Sequence, residues 1–432
     1  MTPKTPTPAG EPSAEEDRAI LTSLLARHEA WRSNTLNLIA SENVLSPAVH
    51  AVLDSDLVHR YADFTGRDLA ARRYRGTRYV VEIEREVERL ARQVFAAEFV
   101  ELRPLSGHLA GIAVLMALCK PGDVVLETGR DGGGHREAGK FAGSELVRLD
   151  VRHLPIDAAR YNVDPAAAAA LIAEVRPRAV ILGSSNFVFP HPVRELRAAV
   201  DALPGSYLIY DASHVMGLVA AGRFQDPLGE GADVVFGSTH KTLPGPQGGI
   251  VFTNRGDLMT RISDIVYPGL VTNHHPFRLP ALGVALAEML EFGPAYADQI
   301  IANSQALGAA LVGEGIPCVT DGGRPPVGPR YSASHTLLMR VSDFGTADAV
   351  AEKLESAGII TTGGMLPESL GGHGVRLGTQ EMTRRGLREA DMSRAARLIA
   401  DALRDERLSV EIAAEVANFV GALGPLRFTW PA

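Results

Sequence analysis

The chain has 432 residues, 46% of them apolar and 22% charged, which is enough for a large buried core shared among two or three ordinary domains, or one large domain and a smaller one. A formal net charge of -8 disfavours a nucleic-acid surface as its main business, because phosphate neutralisation requires a basic stripe. The first 20 residues carry Pro and acidic residues without an apolar run, and no later stretch reaches the roughly eighteen unbroken apolar residues of a spanning helix. The expectation is a cytoplasmic protein with no membrane partner, whose two cysteines, Cys119 and Cys318, are reduced thiols.

In chain order, apolar residues at helical spacing predict amphipathic helices over 17–30 and 80–95. Residues 38–79 between them are rich in polar, Gly and Arg residues, and such a segment either lines a pocket or makes a surface excursion. From residue 101, GHLAGIAVLMALCK reads as a small-residue helix, GDVVLE and ELVRLDV as strands, and DPAAAAALIAEV as a helix. RAVILGSS is a further strand, a helix opens at Pro192, and SYLIYDAS and ADVVFGSTHK are strands again. Short apolar runs alternating with helices predict right-handed crossovers in a mostly parallel sheet, with the reactive loops beyond the carboxyl ends of its strands.

After GGIVFTN the pattern changes to a long helix near 282–315. Strand ASHTLLMRV, helix ADAVAEKLESAG, strand GVRLGTQ and helix DMSRAARLIADALRDE follow, a smaller α+β unit. The expected division is a tail and helical arm over 1–45, a large α/β domain over 46–281 and a small C-terminal domain over 282–432.

Four places offer chemistry. Lys241 follows a strand in the Gly/Pro-framed GSTHKTLPGPQGG; it is either a solvated surface ammonium or a partly desolvated amine able to attack an aldehyde and form a Schiff base. Asp211 ends SYLIYD and either caps the next helix or pairs with a buried cationic ring nitrogen. Ser106 and Gly107 open a helix, as a plain N-cap or as a phosphate site. His135 lies in GGGH, where glycines let backbone approach a flat ligand. His274 and His275 are adjacent and lack further ligands in the sequence around them, so no metal is assigned. The arginines at 67, 72, 73, 75 and 78 fit substrate steering or subunit contacts better than nucleic acid.

Taken together, LIASEN at 38–43, SG at 106–107, DASHVMGLVAAGRFQDPL at 211–228, ADVVFGSTHKTLPGPQGG at 232–249 and VRLGT at 375–379 resemble the serine hydroxymethyltransferase family of fold-type I pyridoxal-phosphate enzymes. The resemblance runs over about residues 38–386. It implies an aspartate-aminotransferase-like fold, pyridoxal 5'-phosphate as cofactor, and a homodimer with shared active sites. It makes Lys241 the Schiff-base lysine, Asp211 the partner of the pyridine nitrogen and His135 the ring stacked on the cofactor. Ser106, Gly107, Ser185 and His240 fall where family members contact phosphate or ring, and His214 near the cofactor oxygen. Arg376 matches the clamp on the substrate carboxylate, a task suited to a planar fork. Ser41, Tyr61 and Tyr74 match pocket residues, the two tyrosines reaching over from the partner subunit.

The acceptor half departs from the family pattern. Asp63 stands where a catalytic Glu serves folate-dependent transfer, and it is one methylene shorter. Tyr74-Arg75 replaces paired tyrosines, DLAA at 68–71 enlarges the loop, and Gln247 replaces an Arg. The Asn-containing pterin-contacting stretch is not apparent in GIITTGGMLPESLGGHG. The leading expectation is therefore a threonine or serine transaldolase that moves the glycyl unit to an aldehyde, with Arg75 and His108 as acceptor-site candidates. The alternatives are a tetrahydrofolate-dependent hydroxymethyltransferase acting on serine or an α-substituted serine, a threonine-type aldolase, and a non-catalytic partner protein of the same fold.

Overall fold

In the computed structural model, which describes residues 12–144, 147–323 and 330–431, the alternating pattern becomes a central sheet of seven strands. Helix α1 (Ala14–Ser33) opens with a capping box between Ser13 and Glu16 and buries none of its residues. Helix α2 (Arg78–Phe95) buries Val80, Val87, Leu90, Ala91 and Phe95 along one stripe. Strand β1 (Phe99–Glu101), helix α3 (Gly107–Leu118), strands β2 (Val124–Glu127) and β3 (Asp150–His153) and helix α4 (Pro165–Val175) follow. Then come β4 (Ala179–Gly183), α5 (Val193–Asp201), β5 (Tyr207–Asp211), β6 (Val234–Ser238) and β7 (Gly249–Thr253).

The spatial order is β1-β7-β6-β5-β4-β2-β3. The pairs from β6 through β3 are parallel, and β7 runs antiparallel to both its neighbours. Side chains alternate across a pleated strand, so Val180, Leu182, Leu208, Tyr210 and Val235 enter one core, with Leu90 and Phe95 of α2. Ile181, Ile209, Val234 and Phe236 enter the other, against Ala110, Val114 and Leu118 of α3. Strands covered on both faces are what a parallel sheet needs.

Helix α6 (Arg278–Gly313) leads into the smaller α+β unit. Its elements are β8 (Thr336–Arg340), α7 (Ala347–Ser356), β9 (Thr362–Met365), β10 (His373–Gly378), α8 (Glu389–Arg404) and α9 (Ser409–Gly421). The three strands form an antiparallel sheet in the order β8-β10-β9. Leu36–Asn37 pairs with Ile359–Ile360, and Leu36 and Leu38 join this unit's core. Helix α6 serves both cores: Leu282, Leu286, Met289 and Ile300 pack under the central sheet, Leu307 and Leu311 in the smaller unit. It thus crosses the 281/282 division expected from the sequence.

Two details differ from the sequence expectation. Residues 145 and 146 of the expected strand ELVRLDV lie outside the described residues, as do residues 1–11 of the expected tail; the strand itself sits later, at Asp150–His153, on the sheet edge. Strand β9, with the sequence TGGM, carries two glycines and so has no side-chain alternation to read. Cys119 and Cys318 are free thiols, and among the described residues no helix is long and apolar enough to cross a membrane.

Candidate active site

The carboxyl ends of β2, β4, β5 and β6 converge with the start of α3. Two glycines permit this. A Cβ on Gly107 would lie 2.4 Å from Ser238 Oγ and 2.8 Å from the Ser238 backbone nitrogen, and one on Gly249 would lie 2.1 Å from the Ser106 carbonyl oxygen. The N-terminus of α3 therefore seats against the end of β6, where Ser106 caps the helix by accepting from the Leu109 amide at 3.1 Å.

The loop after β6 carries His240 and Lys241 and is fixed by hydroxyl and amide groups. Thr239 Oγ1 donates to the Pro246 carbonyl at 2.7 Å, and Thr242 Oγ1 donates to the His214 carbonyl at 2.8 Å while accepting from the Gly217 amide. Asn43 Nδ2 donates to the Lys241 carbonyl at 2.7 Å, which ties the LIASEN segment to the same loop. Burial brings the Lys241 ammonium down to about 8, with Arg376 adding to the effect and the Asp211 and Glu137 carboxylates opposing it. A neutral amine is thereby within reach near neutral pH.

Asp211 is buried at the end of β5, and its Oδ1 accepts from the Ser213 amide at 2.9 Å. His214 is buried, stacks on His335 with ring centroids 6.0 Å apart, and is held well below the usual imidazole range by burial and then by Lys241 and Arg376. Burial and the neighbouring Lys241 bring His240 to about 4. Arg376, on β10, donates from Nη1 to the Ser185 carbonyl at 2.8 Å, and burial lowers its guanidinium to about 10. In the GGGH loop a Cβ on Gly134 would overlap the Thr128 carbonyl oxygen at 1.8 Å, so this turn admits only glycine. His135 Nδ1 is 3.0 Å from Glu137 Oε2.

Ser41, Asn43, His240, Lys241 and Gln247 line one open cleft of about 980 Å³, whose outer wall includes Arg32, Glu42 and Arg385. Arg376 Nε, His214 Nδ1 and His240 Nδ1 are buried without a hydrogen-bond partner among the described residues. Orphaned buried polar atoms of this kind call for a polar ligand. With an amine, an acid and a helix N-terminus beside them, they fit a phosphorylated aromatic aldehyde.

The loop over 61–79 is placed differently. Tyr61 and Tyr74 are 50% and 44% exposed and lean on each other, ring centroids 5.2 Å apart, without lining the Lys241 cleft. Asp63 is 4% exposed and faces His274 Nδ1 at 3.7 Å. His274 Nε2 is in turn 2.7 Å from Glu84, which pairs with Arg72. Arg75 is exposed and donates to the Arg72 carbonyl at 3.0 Å. His108 is beside Glu137, not in the Lys241 cleft lining. Sequence reading did not single out Asn43, His335 or Glu137; Glu137 was signalled only by lying two residues past His135 in GGGHRE.

A mostly parallel α/β sheet with a lysine, an acid and a glycine-opened helix at its carboxyl edge defines a fold-type I pyridoxal-phosphate enzyme. Residues 14–399 match the family model described as serine hydroxymethyltransferase. The chain is 42% identical over 406 residues to the serine hydroxymethyltransferase of Methanopyrus kandleri, covering 93% of this chain and 92% of that one. It is 41% identical over 403 residues to that of Thermococcus onnurineus, covering 91% and 92%. Among solved structures it is similar to an L-threonine transaldolase from Pseudomonas fluorescens, with a TM-score of 0.88 and 30% identity over 96% of this chain and 94% of that one. The chain belongs to the serine hydroxymethyltransferase family: it is a catalytic enzyme that uses pyridoxal 5'-phosphate and acts on amino acids.

Proposed function

We propose that this enzyme breaks and makes the Cα–Cβ bond of a β-hydroxy-α-amino acid, with hydroxymethyl transfer between serine and glycine as its reaction and a tetrahydrofolate-type carrier as its second substrate. The observation that carries the bond chemistry is Lys241, half-buried and lowered to about 8 by desolvation, with Arg376 adding to the effect and Asp211 opposing it. The identity of about two fifths to relatives named as hydroxymethyltransferases supports this acceptor over an aldehyde, the reverse of the expectation drawn from the loop sequence alone.

When bound, pyridoxal phosphate supplies an aldehyde and a cationic ring that draws in the electrons of the broken bond. Lys241 offers the amine that holds it. The Asp211 carboxylate would keep a proton on the ring nitrogen by Coulomb attraction. Ser106, Gly107, Ser185 and His240 would hold phosphate and ring, with His214 toward the ring oxygen and His135 against the ring. Arg376 would take the substrate carboxylate in a two-pronged grip, with Ser41 in the Lys241 cleft, and so orient the substrate.

A second copy completes the site in this reading. Leu21, Leu24, Leu25 and Trp31 of α1 are 68%, 50%, 58% and 44% exposed, an apolar face that a partner covers. The end of α1, at His28 and Arg32, borders the same cleft as Lys241. Exposed Tyr61 and Tyr74 then enter the partner's cleft, with Asp63 behind them.

A second reading, transfer of the glycyl unit of threonine to an aldehyde, is favoured by Asp63. Its short carboxylate faces inward to His274, and Arg75 stands at the surface to meet an anionic acceptor; the likeness to the Pseudomonas fluorescens enzyme agrees. Holoenzyme incubated with serine and tetrahydrofolate, and separately with threonine and a panel of aldehydes, tests both. Folate-dependent glycine formation supports hydroxymethyl transfer. New β-hydroxy amino acids formed from threonine without folate, with none of that activity on serine, overturn it in favour of the transaldolase; acetaldehyde release alone identifies an aldolase.

A further inference from the structure

Beside His135 lies a cluster to which the proposed reaction assigns no task. Glu137 is 3% exposed, and its two oxygens face two imidazoles, Oε1 at 2.5 Å from His108 Nδ1 and Oε2 at 3.0 Å from His135 Nδ1. Lys140 Nζ is 2.9 Å from His135 Nε2 and 3.8 Å from Glu137 Oε2. The cluster is built in. Glu127 at the end of β2 accepts from the Ala138 and Gly139 amides at 2.9 and 3.0 Å and so pins the loop that carries Glu137. Gly111 clears the space, since a Cβ there would meet Glu137 Cγ at 2.7 Å and Phe236 Cε2 at 2.8 Å. Phe141 stacks on His108, ring centroids 5.9 Å apart at 11°.

Lys140 Nζ also comes within 3.2 Å of His135 Nδ1, but the donor and acceptor inventory at His135 favours one arrangement of protons. An ionised carboxylate only accepts and an ammonium only donates. His135 therefore donates from Nδ1 to Glu137 and accepts at Nε2 from Lys140, while His108 Nδ1 faces the other carboxylate oxygen at 2.5 Å without hydrogen-bond geometry in the single chain. Both rings thus turn their Nδ1 atoms to one shared pair of carboxylate oxygens.

We propose that Glu137 is a positioning residue: it fixes His108 and His135 in the Nδ1–H tautomer and holds the His135 ring at the angle at which it stacks on the cofactor. This rests on the reading of His135 given above.

Glu137→Gln tests it with nearly unchanged shape. A carboxamide has one acceptor oxygen and one donor nitrogen, so it satisfies one imidazole as before and forces the other to carry its proton on Nε2. Nitrogen-15 shifts of labelled histidine in cofactor-free protein, assigned with His108→Phe and His135→Ala, read the tautomers directly. Equilibrium dialysis reads pyridoxal-phosphate affinity. The expected result is two Nδ1–H rings in the native protein, one switched ring in Glu137→Gln, and affinity lower by about 10-fold, as for other groups that orient a ligand-contacting imidazole. In the His108→Phe background only one ring claims the amide, so Glu137→Gln then changes affinity by less than about 2-fold.

Unchanged nitrogen shifts in Glu137→Gln overturn the proposal. Switched shifts with affinity insensitive to both Glu137→Gln and His135→Ala overturn instead the placement of His135 on the cofactor, and the proposal with it. Switched shifts with affinity lost only in His135→Ala refute the positioning role while leaving that placement intact.

Discussion

Replacing Lys241 by Met in the cofactor-free protein should stabilise it. The amine is brought from an ordinary 10.5 to about 8, a gap of roughly 2.5 units at about 1.4 kcal/mol each. Folding therefore carries a penalty of roughly 3 kcal/mol near pH 7, where the unfolded chain holds the proton firmly and the folded chain only weakly. The sign follows from linkage: with a lowered folded value the unfolded state binds more protons, so native stability rises with pH. The penalty is full below about pH 8 and fades between 8 and 10.5, falling to roughly 1.5 kcal/mol by about pH 9.5. Urea unfolding of both cofactor-free proteins at pH 7 and pH 9.5 measures this. The Lys241→Met variant should be ahead by about 3 kcal/mol at the lower pH and by about half that at the higher. An advantage independent of pH would be plain apolar packing, and no advantage would mean that the amine is not desolvated; either refutes the reasoning.

Lys241→Ala should abolish turnover and the adduct trapped at residue 241 by borohydride, assayed by mass spectrometry of the digested holoenzyme. Arg376→Gln should raise KM for the amino acid on the order of 10- to 100-fold, the loss of a charge-assisted grip, read from initial rates at saturating cofactor. In Gly107→Ala the new methyl meets Ser238 backbone at 2.8 Å, so α3 must withdraw from β6 and cofactor affinity should fall at least about tenfold by dialysis. Arg384 and Glu288, both 1% exposed and 2.9 Å apart, form a buried pair. Arg384→Met alone should cost about 3–5 kcal/mol by urea unfolding, and adding Glu288→Met should recover much of it.

The parallel sheet was legible because each strand is a short apolar run closed by Gly, Asp or Ser, and the reactive side chains follow those closures, as Asp211 and Lys241 do. Motif reading placed Ser106, Gly107, Ser185, His214 and Arg376 around the same edge. It had no means of seeing that Asp63 turns toward His274, because that contact joins residues 63 and 274 through folding of an enlarged loop with no periodic pattern. Tyr61 and Tyr74 are exposed in the single chain, and the loop's sequence carries no local pattern that would have shown it. Glu137 escaped notice because an acid two positions past a histidine is common, and only the approach of α3 makes it shared by two rings.

Helix α6 runs for 36 residues, about 54 Å of rod, with its earlier part seated under the central sheet and its end in the smaller unit that carries Arg376. The strands that carry Lys241's loop and Arg376 thus rest on different stretches of one beam. Pro294 interrupts its hydrogen-bond ladder part way along, so a bend at that residue would change the distance between the two cores while leaving the packing within each intact.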